Sequence, residues 1–234
     1  MARWLVKLDG EPFDLEDFPY WFPHGPIYAV ADATGTYIAG ESFETYIDAS
    51  EVYQAAGARL DEMHAAINLL DSGVQIPELG AVIREDDAGI RKGFVLASAT
   101  MRGRSKVRGA LSAIGSENVV PTETQAQQLL KAARENRHLH IALLLLAMPR
   151  VSWPHLYRAL EEIEAHIGAK PDDAGLCLGT DYVRFKRSAN SGEVAGTDSR
   201  HRVGKYEPPK QPMTLQDARN FVRHCLNEAL RRCM

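Results

Sequence analysis

Short apolar runs alternate with turn chemistry over the first hundred or so residues. Trp4-Leu5-Val6-Lys7-Leu8 stops at Asp9-Gly10, and Ile27-Tyr28-Ala29-Val30 is followed by Ala33-Thr34-Gly35 and then Thr36-Tyr37-Ile38. Period-two runs bounded in this way predict strands, the middle pair as a hairpin. A single helix is expected to interrupt them. Asp48 and Glu51 stand at capping-box spacing, and Val52, Ala56, Leu60, Met63, Ile67 and Leu70 fall on one stripe at helical period, with Gly73 as the stop. Two more strands are predicted, over Gly80 to Arg84 and Gly93 to Met101.

Beyond this point the period becomes helical. Thr122 and Gln125 are spaced to open a helix that carries Leu129, Leu130 and Ala133 into the apolar run ending at Pro149. Ser152 caps the next, with Pro154 in its first turn, Leu156, Leu160, Ile163 and Ile167 as its stripe, and Gly168 as its end. A shorter helix is predicted from Thr180 through Phe185 to Asn190, and a last one from Thr214 and Asp217 with Leu215, Ala218, Val222, Leu226 and Leu230 facing a core. The fold class expected is therefore α+β. A small β-rich domain with one helix, residues 1–112, precedes an all-α bundle of about four helices, residues 118–234.

Composition narrows the function classes. With 234 residues, 45% apolar and 25% charged, the chain is an ordinary globular protein that needs no disulfide staples. Three cysteines without a CxxC pair argue against a zinc knuckle and fit a reducing cytoplasm. The start MARWLVKLDG lacks the apolar core of a signal peptide, and Leu139 to Met148 is about half a membrane span, so a cytoplasmic protein with no membrane association is expected. A net charge of -4 excludes a whole-molecule polyanion binder. Charge is nevertheless uneven: residues 1–50 hold nine acids and two bases, whereas residues 181–232 hold eleven bases and six acids. That asymmetry either joins the two domains or marks a local phosphate-binding patch.

Chemistry-bearing candidates follow from this bias. Arg102, Arg104, Lys106 and Arg108 share one face of an extended segment, which suits a phosphate track and equally suits an edge strand guarded by charge. Asp61 with His64, and Glu135 with His138, stand at i, i+3 like metal-holding pairs in bundles, with Glu162 and His166 a weak third element. Lacking carboxylates from further helices, they read as solvated helix faces, and no metal is expected. No Walker loop, GxGxxG, GxSxG or HExxH is present, so no cofactor is implied. The cluster Phe18-Pro19-Tyr20-Trp21-Phe22-Pro23 reads as a packed lid or as a protein-binding patch.

The stretch Phe185-Lys186-Arg187-Ser188-Ala189-Asn190, then Gly196-Thr197-Asp198-Ser199-Arg200-His201, then Pro208-Pro209-Lys210-Gln211-Pro212-Met213-Thr214-Leu215, resembles the C-terminal helical region of bacterial proteins related to HEPN domains, the abortive-infection group among them. The likeness covers roughly residues 122–232 and not the N-terminal domain. It implies RNA binding or metal-independent RNA cleavage in stress or phage defence, and a homodimer with composite sites. The family's pattern is an Arg followed four to six residues later by a His. Arg59 with His64, Arg134 with His140, Arg150 with His155, and Arg219 with His224 meet that spacing.

Position late in the bundle favours either the last pair or the Arg187, Asn190, Arg200 and His201 neighbourhood, where Arg200 and His201 are adjacent. Metal-free cleavage needs a base for the 2′-hydroxyl proton, an acid for the leaving oxygen and a cation for the pentavalent phosphate. His201 is the acid or base expected on this reading, and Arg187 and Arg200 are the phosphate clamps. The same loop also reads as a solvated connection in which Asn190 and Asp198 cap turns. The rival function is a non-catalytic module whose bundle dimerises and whose acidic N-terminal domain docks a protein partner.

Overall fold

The structure, a computed structural model, describes residues 3–71, 73–94, 123–199 and 207–234. Strands β1 (Arg3–Asp9), β2 (Ile27–Asp32), β3 (Gly35–Gly40), β4 (Glu78–Glu85) and β5 (Arg91–Phe94) make one antiparallel sheet in the order β2-β3-β1-β4-β5. Alternation along β1 places Trp4, Val6 and Leu8 on one face, all buried. Leu5 lies on the other, in a small cluster with Tyr37 and Ala39. The β2–β3 hairpin turns through Ala33-Thr34, where Asp32 Oδ1 accepts from the Thr34 amide at 2.7 Å and Gly35 adopts φ +145°. Of the predicted strand over Gly93 to Met101, Gly93 and Phe94 end β5, which starts earlier at Arg91, and residues 95–101 lie outside the described residues.

Among the described residues two helices, rather than the single one expected, accompany the sheet. α1 (Pro12–Trp21) begins with a proline at its first position and carries Pro19 in its last turns. It converts the aromatic cluster into two surfaces, since Phe18 and Phe22 are fully buried while Tyr20 is 66% exposed. α2 (Ala49–Leu70) follows a 3-10 turn at Glu41–Thr45. Its cap is Asp48, which accepts from the Ser50 amide at 2.6 Å. Val52, Ala56, Leu60, Met63 and Ile67 are buried as the stripe predicts.

The second half is helical: α3 (Gln125–Glu135), α4 (Arg137–Ala147), α5 (Trp153–Ile167), α6 (Gly179–Asn190), the single turn α7 (Gly192–Ala195) and α8 (Leu215–Arg231). The predicted continuous helix up to Pro149 is thus two, and in place of the expected four helices there are six among the described residues. The break falls at Asn136, whose Oδ1 accepts from the amides of His138 at 3.0 Å and Leu139 at 3.2 Å. A side chain that satisfies the donors of a new first turn starts a new helix without glycine or proline. α5 ends at Gly168 with φ +68°, the left-handed cap its sequence predicts. α8 opens with the reciprocal Thr214–Asp217 capping box.

The chain separates into two compact units, Met1–Ile67 with Asp71–Gln127, and Asn68–Leu70 with Gln128–Met234. In the second, α4, α5 and α8 pack together, and Phe185 of α6 stacks on Phe221 at 5.3 Å and Tyr157 at 6.3 Å, with Trp153 at 6.1 Å. Among the described residues no helix is long and apolar enough to cross a membrane.

Candidate functional site

α6 has one buried face and one open face. Phe185, Ser188 and Ala189 are buried, so Thr180, Val183, Arg184 and Arg187, spaced i, i+3, i+4 and i+7, share the opposite side. Gly179 opens the helix, and a Cβ there would lie 3.1 Å from Asp172 Oδ2, so the carboxylate approaches the positive end of the helix closely. Val183 is 51% exposed, an apolar residue left in the open face.

The chain returns to α6 just before α8. Arg184 donates from Nε to the Gln211 carbonyl at 2.6 Å and from Nη2 to the Pro212 carbonyl at 3.2 Å. One turn on, the buried Ser188 hydroxyl accepts from the Met213 amide at 3.0 Å. These bonds hold residues 211–213 along the helix. Between them α6 and the returning chain form an open groove of about 640 Å³, lined by Gly179, Thr180, Val183, Arg184, Arg187, Pro209, Lys210 and Gln211. Three lining residues are cations and none is an acid. Arg187 and Lys210 are exposed and meet no carboxylate among the described residues. Val183 and Pro209 supply apolar surface beside them. Such a groove suits an anion that also carries an apolar part.

Of the described residues expected in a site, Arg187 lines this groove and Asn190 does not. The Asn190 side-chain amide donates to the Lys186 carbonyl at 2.8 Å, while the Asn190 backbone carbonyl accepts from the Ser199 hydroxyl at 3.0 Å, so the residue ties off the end of α6. Arg200 and His201 lie outside the described residues, as do Arg102, Arg104, Lys106 and Arg108. Arg184 and Lys210 escaped the sequence analysis as ligands. The legible signal was the outward stripe of α6, but its partner segment lies some twenty-five residues later and meets it only through the fold.

Several residues of the other Arg–His spacings do structural work. Arg59 pairs with Glu62 at 3.0 Å, and the buried His64 hydrogen bonds the Val74 carbonyl at 3.0 Å through Nε2. His155 Nδ1 contacts the Ser152 hydroxyl at 2.9 Å in the cap of α5. Arg219 reaches the Leu146 carbonyl at 3.3 Å, whereas His224, five residues on and therefore about 140° round the helix, is exposed.

Nor do Glu135 and His138 assemble as spaced. The break at Asn136 separates Glu135 from His138, which instead meets Glu162 at 2.8 Å. Burial, and then the nearby His138, lower the pKa of His166. His166 Nε2 stands 3.6 Å from the exposed Cys233 thiol. Among the described residues no group of three or more His, Cys, Asp or Glu side chains could hold a metal ion. The cysteines are free thiols, and burial pushes that of Cys225 well up.

Compared with known proteins, the chain matches no family model, no curated protein and no solved structure.

Proposed function

We propose that the helical unit binds the phosphate backbone of RNA in the α6 groove and, as the HEPN resemblance implies, cleaves it without a metal ion. The observation that carries this reading is the groove itself, three cations with no acid among its lining residues and two of them free to meet phosphate. Arg187 is both an exposed guanidinium of the groove and one of the two phosphate clamps expected from the sequence. In the cleavage step a base takes the 2′-hydroxyl proton, the 2′-oxygen attacks phosphorus, and the 5′-oxygen leaves with a proton from the acid. His201 takes one of these two roles, and Arg187 and Arg200 stabilise the doubly charged phosphorane.

Purified protein incubated with labelled single-stranded and structured RNA, with and without chelator, tests the reading. Cleavage that survives chelator and is lost in His201→Ala supports it. Cleavage abolished by chelator, or none together with no binding, refutes it. A second reading, a homodimeric module that docks a protein partner, is favoured by one observation. Phe13 and Tyr20 are 49% and 66% exposed on α1, next to the exposed Glu16. On that reading RNA has no effect, and Tyr20→Ala breaks association.

A further inference from the structure

The three groove cations are not equivalent. Arg184 already spends two donors on the Gln211 and Pro212 carbonyls, at 2.6 and 3.2 Å. Its charge also has a carboxylate nearby. Asp217 is held below the usual carboxylate range chiefly by the Thr214 amide and hydroxyl, and last by Arg184. Arg187 and Lys210 have no such partners among the described residues. Lys210 immediately precedes three residues whose backbone groups are fastened to α6, at Gln211 and Pro212 by Arg184 and at Met213 by Ser188. A flexible lysine presented from a fixed wall loses less entropy on binding than one on a free loop.

The groove's volume of about 640 Å³ is that of a small-ligand site, typically about 300–1,000 Å³. Its open form admits a strand that continues beyond it. Val183 and Pro209 give a base an apolar surface, while no lining aromatic offers a stacking platform.

We propose that the groove holds two backbone phosphates of single-stranded RNA, one on Arg187 and one on Lys210, and that Arg184 binds no phosphate but positions the wall that carries Lys210. This rests on the RNA reading above and divides the labour within it. Arg184 is a positioning residue. A lysine in its place, with a point charge on a flexible stem, does not reproduce a fork that spans two carbonyls.

The test is fluorescence anisotropy of a labelled oligouridylate bound to the full chain over a range of salt concentrations. Each phosphate contact on a single strand contributes about 0.7 to the slope of log affinity against log salt. Arg187→Ala and Lys210→Ala are each expected to reduce the slope by about 0.7, and Arg187→Lys to retain it. Arg184→Gln and Arg184→Lys should both weaken binding about as much as Lys210→Ala does. In a Lys210→Ala background Arg184→Gln should cost nothing further, because its only route to RNA is through Lys210.

Additive losses in that cycle would make Arg184 a phosphate ligand and overturn the assignment. An unchanged slope in Arg187→Ala, with the wild type still binding, would remove the groove as the site while leaving RNA binding in place. A wild type that binds no oligouridylate would overturn both. The two Arg184 variants are compared with the wild type by circular dichroism and thermal melting, so that a folding defect is seen as such.

Discussion

Phe185 shows how one residue links the core to the groove. Its ring is fully buried against Phe221, Tyr157 and Trp153, and this fixes which side of α6 faces outward. Phe185→Ala should cost about 3–5 kcal/mol, read as a loss of stability in urea unfolding. Arg187→Ala, on the exposed side, should leave the unfolding midpoint within about 0.5 kcal/mol of wild type.

In the sheet, Asp32 is held well below the usual carboxylate range first by the Thr34 hydroxyl and then by Arg91, which stands 2.7 Å away. A carboxyl lowered on folding adds stability above its unfolded value, about 3.9, and that stability is lost as pH falls through the folded value. Wild type should therefore lose melting temperature in acid more steeply than Asp32→Asn, as measured by thermal melts from neutral pH down to about pH 2. The caps at Asp48, Gly168 and Thr214 were legible because each is a local pattern of two to four residues. The clamp by Arg184 was not, since nothing in its own neighbourhood shows that its partners are the carbonyls of Gln211 and Pro212.

At the scale of elements, strands β1 to β4 and helices α2, α5, α6 and α8 could be read from periodicity and punctuation alone. α1 could not, because its two prolines and run of aromatics look like a loop. What makes it a helix is Pro12 at the first position, where no donor is lost, together with the burial of Phe18 and Phe22. The junction of α3 and α4 was missed for the opposite reason. Glu135-Asn136-Arg137 contains no breaker, and only the capping bonds of Asn136 reveal it. Asn136→Ala should destabilise the helical unit by about 0.5–2 kcal/mol, whereas Asn136→Asp should retain most of the stability, both in urea titrations followed by circular dichroism.

For the molecule as a whole, the sequence showed an α+β chain with an acidic beginning and a basic end, and the structure turns the basic end into a defined groove on one helix. Charge counting located the half and not the place. The groove depends on a contact between residues 184–188 and 211–213 that no spacing rule encodes. The central claim is that RNA lies there. Photo-crosslinking of full-length protein to single-stranded RNA carrying 4-thiouridine, with the attached peptides identified by mass spectrometry, tests it most directly. The account predicts crosslinks on the segments 179–187 and 209–211, weakened together in Arg187→Ala. Crosslinks confined to the sheet unit, or the same pattern in Arg187→Ala as in wild type, would contradict it.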